Sequence, residues 1–294
     1  VAATGAELAR THAARLAASG IDSPEADARW LASAVLGVAV GALHTVRVSD
    51  EQAARLDALV ERRAQRVPLQ HLIGSTGFLG LDIACRPGVF VPRPETEVLA
   101  IEAVAAARRH APAPRVLEPC TGTGAVTAAL ATAVSGADIH AGDRSTAAVA
   151  LAEVNLAAVR RRPGWADGVS VTFGCGDLFD AFAPDLRGAV DVVVCNPPYL
   201  SQVEFDACPP EVRDHDPVDA LVGGPVGNEV VDRVLRDART WLCPGGEILV
   251  EVSEHRAAAA AELAATLGYL DVAVVHDLAG RPRVVRAAWG GDAP

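Results

Sequence analysis

Over the first third of the chain, apolar residues recur every three to four positions, the spacing of amphipathic helices. Ser23 and Pro24 form a typical helix start, an N-cap followed by proline at the first helical position. Ser49 and Gln52 form a second start, a capping box. The predicted apolar faces comprise Ala26, Trp30, Leu31, Ala34 and Val35 in the first helix, and Ala53, Leu56, Leu59 and Val60, opposite Arg55, Arg62 and Arg63, in the second. We therefore predict a small helical domain over residues 1–75.

The pattern then changes to short β-like runs interrupted by glycine and proline. This change predicts a β-hairpin linker over residues 76–92. Pro92 and Pro94 hold the following segment extended, so the next helix can begin only after Pro94.

From residue 115 onward, short apolar runs alternate with Ala-rich helical segments. Strands separated by helices form a parallel sheet covered on both faces, so we predict an α/β domain over residues 93–294. Ligands in such domains bind at the carboxyl ends of the strands. The predicted strands are Arg115–Glu118, Asp138–Ala141, Ser170–Phe173, Val190–Cys195 and Glu247–Val252, with later helices from about Asn228 and His255.

Glycines and carboxylates follow the first three of these strands. The turn Cys120-Thr121-Gly122-Thr123-Gly124 leads into a helix, so its glycines and the unpaired N–H groups of the helix can approach a ligand. Asp143, 21 residues after Gly122, can accept hydrogen bonds from both hydroxyls of a ribose. It can instead cap a helix. Asp177 and Leu178 follow the third predicted strand, at a position where they can contact an adenine. Each signal by itself is also compatible with an ordinary turn.

The fourth strand ends in Asn196-Pro197-Pro198-Tyr199, the most specific motif in the chain. Two consecutive prolines remove two N–H donors and fix φ, so nearby carbonyls can be held as free acceptors. Asn196 adds a side-chain acceptor and Tyr199 adds a flat face. Such a site can clamp a planar –NH₂ group by accepting its two hydrogens; the alternative is a purely structural proline turn.

Composition and charge narrow the choice of function. The chain is 50% hydrophobic but only 4% aromatic, so Ala, Val and Leu must build its core. All 26 basic residues are Arg, and the net charge of −11 argues against a general nucleic-acid binder. Residues 1–92 are neutral, and residues 93–294, with 17 Arg and 28 acidic residues, carry the whole excess.

The densest negative stretch is residues 201–232, with eight acidic residues and one Arg. It is either a solvated loop that keeps the protein soluble or a surface that steers a basic partner.

The cysteine pattern and the lengths of the apolar runs indicate the cellular compartment of the protein. The six cysteines show no CxxC spacing and no His at metal-ligand spacing, so we predict neither a disulfide framework nor a metal site. No apolar run reaches the roughly 18 residues of a membrane helix, and no basic leader is present. We expect a reduced, cytoplasmic protein. The chain contains no Met, so we expect that Val1 is not its translated start.

Four stretches together resemble the bacterial N5-glutamine methyltransferases that modify peptide-chain release factors. The family pairs a small N-terminal helical domain and a hairpin with a Rossmann-like, S-adenosylmethionine-dependent methyltransferase domain, and the resemblance spans nearly the whole chain. The stretches are Pro68–Gly74 with Phe78 in the hairpin, Val91–Glu97, Asn196–Tyr199, and Asp216-Pro217 with Ala220-Leu221.

The resemblance implies S-adenosylmethionine as cofactor, no metal, and a basic release factor as partner. It implies that Cys120 to Gly124 contact the methionine part of the cofactor and Asp143 its ribose. It also implies that Leu178, beside Asp177, contacts the adenine and that Phe78 covers the cofactor. The glutamine amide would be bound by Asn196, Pro197, Pro198 and Tyr199, with Asn196 also beside the cofactor and with Asn196, Pro197 and Tyr199 as the catalytic set.

The chain departs from the family at Glu118-Pro119-Cys120, where the family usually has Asp-Leu-Gly or Asp-Leu-Cys. A divergent paralogue that methylates a planar nitrogen or other acceptor of a small molecule is therefore the main alternative. A nucleic-acid amino-methyltransferase uses a similar clamp but is disfavoured by the charge. A non-catalytic binding module is the remaining alternative.

Overall fold

A computed structural model describes residues 3–291, which divide into two compact units. The first unit comprises residues 3–75 together with 208–215, and the second comprises residues 76–207 and 216–291. The boundary after residue 75 coincides with the predicted one, and the predicted linker hairpin is part of the second unit. No sequence pattern indicated that residues 208–215 pack with the helical unit.

The first unit is a helical bundle around a core of Leu16, Leu31, Leu56 and Val60. The capping box of Ser49 and Gln52 is confirmed, whereas Ser23 stands at the N-cap position without a side-chain hydrogen bond. The helices are α1 Gly5–Ala18, α2 Pro24–Leu36, α3 Asp50–Ala64 and α4 Leu69–Ile73, with a 3₁₀ turn at Val40–Thr45 and the short α9 Pro210–Arg213.

The predicted apolar faces of α2 and α3 are partly wrong. Trp30 is 53% exposed, and Arg63, predicted to face solvent, is buried. The reason is an ion pair: Arg63 Nε donates to Asp27 Oδ2 at 2.7 Å, so α2 turns Asp27 inward. Arg63 Nη1 also donates to Glu211 Oε1 at 3.0 Å, and this contact attaches α9 to the bundle.

The second unit contains a seven-stranded sheet with the strand order β5-β4-β3-β6-β7-β9-β8. The five strands β3 to β7 are parallel to one another, as predicted, but β9 is antiparallel to both β7 and β8. The sheet is therefore mixed, and the expectation of an all-parallel sheet is wrong at this edge. The strands are β3 Arg115–Glu118, β4 Asp138–Asp143, β5 Ser170–Cys175, β6 Val190–Cys195, β7 Leu242–Glu251, β8 Tyr269–His276 and β9 Pro282–Trp289, and the separate hairpin is β1 Ser75–Phe78 with β2 Leu81–Ala84.

Helices cover both faces of this sheet. Side chains alternate between the faces along each strand. Val192 and Val194 pack in one core with α5 and α6, and Val193 and Cys195 pack in the other with α10 and α11. The helices are α5 Thr96–Arg109, α6 Ala125–Ala133, α7 Thr146–Arg160, α8 Gln202–Asp206, α10 Glu229–Asp237 and α11 Ala257–Thr266. Because helices cover both faces of the sheet, a ligand can approach it at the carboxyl ends of its strands.

Candidate active site

A cleft of about 490 Å³ lies in the second unit, at the carboxyl ends of β3, β4 and β6. Its volume is that of a small-molecule site. The residues predicted for the cofactor that line it are Cys120, Thr121, Gly122, Thr123, Asp143, Asp177, Leu178 and Asn196. The cleft therefore brings together most of a set that was inferred from separate strand ends.

The glycine-rich turn after β3 is fixed by close backbone packing. Gly124 has φ +76° and precedes α6, and a Cβ at this position would lie 2.9 Å from Cβ of Ala152. Gly122 also has a positive φ, of +54°, but a Cβ there would meet nothing within 4 Å. Gly124 thus allows α6 to pack against α7, whereas Gly122 serves the shape of the turn.

Asp143, the last residue of β4, ties that turn to the next strand. Its Oδ2 accepts from Gly122 N–H at 2.9 Å, and its Oδ1 accepts from Ser145 N–H at 2.9 Å. Burial raises the pKa of Asp143, and these two donors oppose that rise. Ser145, not Asp143, caps α7, because its hydroxyl accepts from Ala148 N–H. Each carboxylate oxygen retains a lone pair, so Asp143 can still accept from a ligand hydroxyl.

Glu118 and Pro119, where the chain departs from the family pattern, also line the cleft. Glu118 is 3% exposed and accepts a hydrogen bond from the Thr127 hydroxyl. Burial raises the pKa of Glu118 to about 8. The residue is therefore mostly a neutral acid at pH 7, a hydrogen-bonding group without charge at the base of the cleft.

Leu178 and Asp177 form another part of the wall. Leu178 has φ +51°, the left-handed region, and it is buried while lining the cleft. Asp177 is half exposed and forms an ion pair with Arg233 of α10, with 3.0 Å between Oδ2 and Nη2. Arg233 also lines the cleft, and no sequence pattern had indicated it.

Phe78 does not line this cleft. It is 1% exposed in the core with Ile83 and Leu99, so its side chain is not available to cover a ligand. The aromatic side chain in the wall is Phe90, and the Arg93 guanidinium carbon lies 4.8 Å from the centre of its ring. Phe90, rather than Phe78, is therefore the aromatic side chain that a ligand in this cleft can reach.

The motif after β6 divides between the cleft and the interior. Asn196 and Pro198 line the cleft, Pro197 is buried, and Tyr199 is partly buried without lining it. The Tyr199 hydroxyl donates to Glu251 Oε1 at 3.2 Å. Burial raises the pKa of Tyr199, so its ring is a neutral phenol.

Asn196 itself is held from one side: its Nδ2 donates to Thr96 Oγ1 at 3.2 Å. Thr96 and Glu251 were missed by the sequence reasoning. Both were accessible to it, since Thr96 lies in the Val91–Glu97 stretch and Glu251 lies in the predicted strand Glu247–Val252.

Arginines neutralise much of the acidic 201–232 segment. Five of its eight acidic residues form ion pairs: Glu204 with Arg256, Glu211 with Arg63 and Arg66, Asp214 with Arg213, Asp216 with Arg93, and Asp219 with Arg144. Counting charges along the sequence therefore overstates the negative field in space, because four of these five partnerships use Arg residues outside the segment.

Within residues 3–291, no cluster of three or more His, Cys, Asp or Glu side chains is arranged to hold a metal ion. None of the helices in that range combines the length and the apolar character needed to cross a membrane.

Comparisons with known proteins agree with the two-part organisation. Residues 7–74 match the family model of the PrmC N-terminal domain, and residues 81–208 match that of the methyltransferase small domain. A crystal structure of a methyltransferase from Pyrococcus furiosus shares the fold, with a TM-score of 0.53 at 20% identity over 79% of this chain and 99% of that one.

Curated relatives match over nearly their whole length. The release factor glutamine methyltransferase of Mycolicibacterium smegmatis is 42% identical over 279 residues, which cover 93% of this chain and 94% of the relative. The protein of the same name from Streptomyces coelicolor is 40% identical over 275 residues, with 93% and 94% covered. This chain, with its cleft at the carboxyl ends of β3, β4 and β6, therefore belongs to the release factor glutamine methyltransferase family.

Proposed function

We propose that this protein transfers a methyl group from S-adenosylmethionine to the side-chain amide nitrogen of a glutamine in a peptide-chain release factor. The observation that carries the proposal is the orientation of Asn196. This residue lines the cleft and donates one Nδ2 hydrogen to Thr96 Oγ1, an orientation that leaves Oδ1 to accept from a ligand. An acceptor held in this way suits the –NH₂ group of a carboxamide.

The residues of the cleft fit the proposed cofactor. Asp143 can accept from ribose hydroxyls, since both of its oxygens are oriented by backbone donors. Leu178 and Phe90 provide apolar contact for the adenine, and the Cys120–Gly124 turn provides backbone groups for the methionine part. When bound, the cofactor supplies a methyl group that its sulfonium already activates.

The protein's remaining task is to position the target nitrogen. A carboxamide nitrogen is a poor nucleophile because its lone pair is delocalised into the carbonyl. Accepting its two hydrogens, with Asn196 Oδ1 and the Pro197 carbonyl, aligns the nitrogen and favours the positive charge that develops on it. No strong base is needed, because the proton leaves after methyl transfer. We assign Pro198 and Tyr199 to the shape of this substrate site.

A release factor binds ribosomal RNA, so the domain that carries its glutamine is expected to be basic. The chain's net negative charge, which residues 93–294 carry entirely, favours binding of such a basic partner. The same charge disfavours direct contact with nucleic acid. A release-factor substrate also implies that the enzyme acts in the cytoplasm.

The test is mass spectrometry of a release factor after incubation with this protein and isotopically labelled S-adenosylmethionine. We expect one labelled methyl group on a glutamine side chain. Label found instead on a small metabolite, with the release factor unmodified, would overturn the proposal in favour of the small-molecule alternative. Calorimetry that detects no binding of the cofactor would favour a non-catalytic module.

A further inference from the structure

Phe90, the aromatic side chain of the cleft wall, belongs to a segment that is anchored on both sides. Its neighbours in the chain, Val89 and Val91, are 4% and 1% exposed. Val89 packs in one cluster with Ala148 and Leu151 of α7. The backbone at Phe90 is thereby held in place, whereas its ring, which lines the cleft, needs a contact of its own to keep one orientation.

Arg93 supplies that contact. Its guanidinium carbon lies 4.8 Å from the centre of the Phe90 ring, within the range of a cation–π interaction. Phe90 lines the cleft and Arg93 does not, so the guanidinium supports the ring from outside the cleft. The backbone carbonyl of Arg93 also accepts from Thr96 N–H at 3.0 Å, which joins this segment to the first residue of α5.

Asp216 fixes the position of the Arg93 guanidinium. The carboxylate is buried, and its Oδ2 accepts a hydrogen bond from Arg93 Nη2. A buried carboxylate requires charged or hydrogen-bonding partners, because burial removes the water that would otherwise solvate it. One guanidinium therefore contacts both the Asp216 carboxylate and the Phe90 ring.

The segment that follows Asp216 forms another wall of the same cleft. The residues of this wall are Pro217, Asp219 and Ala220. Asp216 and Arg93 are 123 residues apart along the chain. Their ion pair therefore joins two walls of the cleft that are distant in the sequence.

The wall of residues 217–220 is also fixed at its other end, by the substrate motif. Leu200 N–H donates to the Leu221 carbonyl at 2.9 Å, and Gly223 N–H donates to the Leu200 carbonyl at 2.9 Å. A Cβ on Gly223 would lie 2.3 Å from the Pro198 carbonyl oxygen, so the two segments are in direct contact. Residues 217–220 are therefore held between Asp216 and the substrate motif.

We propose that Arg93 and Asp216 are positioning residues for the cofactor: their ion pair holds the Phe90 ring and the wall of residues 217–220 in the arrangement that receives S-adenosylmethionine. The proposal rests on the proposed function, which assigns the cleft to this cofactor. Without the ion pair, the Phe90 ring samples several rotamers, and the cofactor must immobilise it on binding at a cost in affinity.

The experiment measures cofactor affinity by calorimetry on the full chain, in the wild type and in a double variant, Arg93→Gln with Asp216→Asn. The double change removes both charges, so neither is left buried without its partner. We expect S-adenosylmethionine to bind about 3- to 10-fold more weakly, the cost of immobilising one side chain. Methyl-transfer kinetics should show a similar rise in KM for the cofactor and a smaller change in kcat, since Asn196 is untouched.

The matched control is Arg286→Gln combined with Glu102→Gln. Arg286 Nη1 and Glu102 Oε2 form an ion pair at 3.1 Å in the same unit, and neither residue lines the cleft. The Arg286 side chain is 35% exposed, close to the 30% of Arg93. Cofactor affinity should equal that of the wild type in this control. A loss as large as that of the double variant would show a general effect of removing ion pairs and would overturn the proposal.

Phe90 variants separate positioning from a general structural role. Phe90→Leu removes the ring and should weaken cofactor binding by itself. Adding Arg93→Gln and Asp216→Asn to this background should weaken binding little further, because the ring through which they act is absent. Fully additive losses would contradict the positioning role. Arg93→Lys, which keeps the charge, should bind the cofactor more tightly than the double variant does.

A readout without cofactor or substrate separates this proposal from the proposed function. The chain contains six Phe, so labelling with 4-fluorophenylalanine gives a ¹⁹F spectrum simple enough to assign. The Phe90 signal, identified by its loss in Phe90→Leu, should move towards that of the free amino acid in the double variant but not in the control. An unmoved signal would refute the positioning role. A protein that shows the shift yet methylates no release factor would contradict only the proposed function.

Discussion

Asp143 and Gly122, 21 residues apart, are joined by a 2.9 Å hydrogen bond from the Gly122 N–H to Asp143 Oδ2. The other oxygen accepts from Ser145 N–H at the same distance. The ends of β3 and β4 are thus held together by a carboxylate that offers only acceptors to both backbone donors. The site's shape and its proposed ribose contact therefore depend on one side chain.

Replacing Asp143 with Asn should weaken binding of S-adenosylmethionine about 10- to 100-fold, the effect of losing a charged hydrogen-bond acceptor. The new NH₂ group also faces a backbone N–H, whichever way the amide turns. Calorimetric titration measures the loss. Asp177→Asn, a change at an exposed ion pair on the rim, serves as the comparison and should have a smaller effect. Equal affinities in the two variants would exclude the ribose role of Asp143.

Replacing Asn196 with Ala should lower methyl transfer by about 10²-fold or more, the scale of losing one positioned polar group. Cofactor affinity should stay close to that of the wild type, because the deleted amide is proposed to hold the target. Single-turnover rates and calorimetry separate the two quantities. Undiminished turnover in this variant would remove Asn196 from the catalytic set.

Glu118 should make stability depend on pH. Its pKa is raised from 4.5 to about 8 in the folded chain, so the folded state keeps a proton that the unfolded state releases. The associated stabilisation is fully present below pH 4.5 and is lost as the pH rises towards about 8. Denaturant unfolding of the cofactor-free protein should show this fall, and Glu118→Gln should reduce it. A variant with the same pH profile as the wild type would show that Glu118 titrates normally.

In the helical unit, replacing Asp27 with Asn should lower the free energy of unfolding by about 3 kcal/mol, since Arg63 loses a buried charged partner. The loss should lie at the low end for buried pairs because Glu211 still accepts from Arg63. Asp22→Asn, at an exposed position, is the control and should have little effect. Asp27→Asn combined with Arg63→Met should be less destabilising than the sum of the two single changes.

Electrostatic steering by the acidic segment is best tested at exposed side chains. Asp216 is buried against Arg93, so reversing its charge would disturb the fold. Asp206→Lys together with Asp214→Lys should slow association with a release factor several-fold at low salt and have less effect at high salt. Association rates that are equal to those of the wild type at both salt concentrations would leave the segment with a structural role only.

The amino-acid sequence determined much of the fold because its signals are local. Strands β3 and β6 begin and end where the apolar runs predicted, since buried parallel strands are continuous apolar segments. The antiparallel pair β8 and β9 was missed, although its two β-branched runs flank a turn containing Gly280. The rule that ligands bind at strand ends singled out Asp143 and Asn196, and both residues line the same cleft.

Only the tertiary structure decided which side chains meet. Phe78 is buried in the core, whereas Phe90 lines the cleft. The burial of each side chain depends on what packs above its strand or loop rather than on hydrophobicity alone. Arg63 is buried because it pairs with Asp27 on the neighbouring helix. Acidic side chains of residues 201–232 pair with arginines that lie elsewhere in the chain. The hydrogen bond from the Tyr199 hydroxyl to Glu251 likewise forms because β6 and β7 are adjacent. Pairings between distant residues follow from strand order and packing, which no local pattern of the sequence specifies.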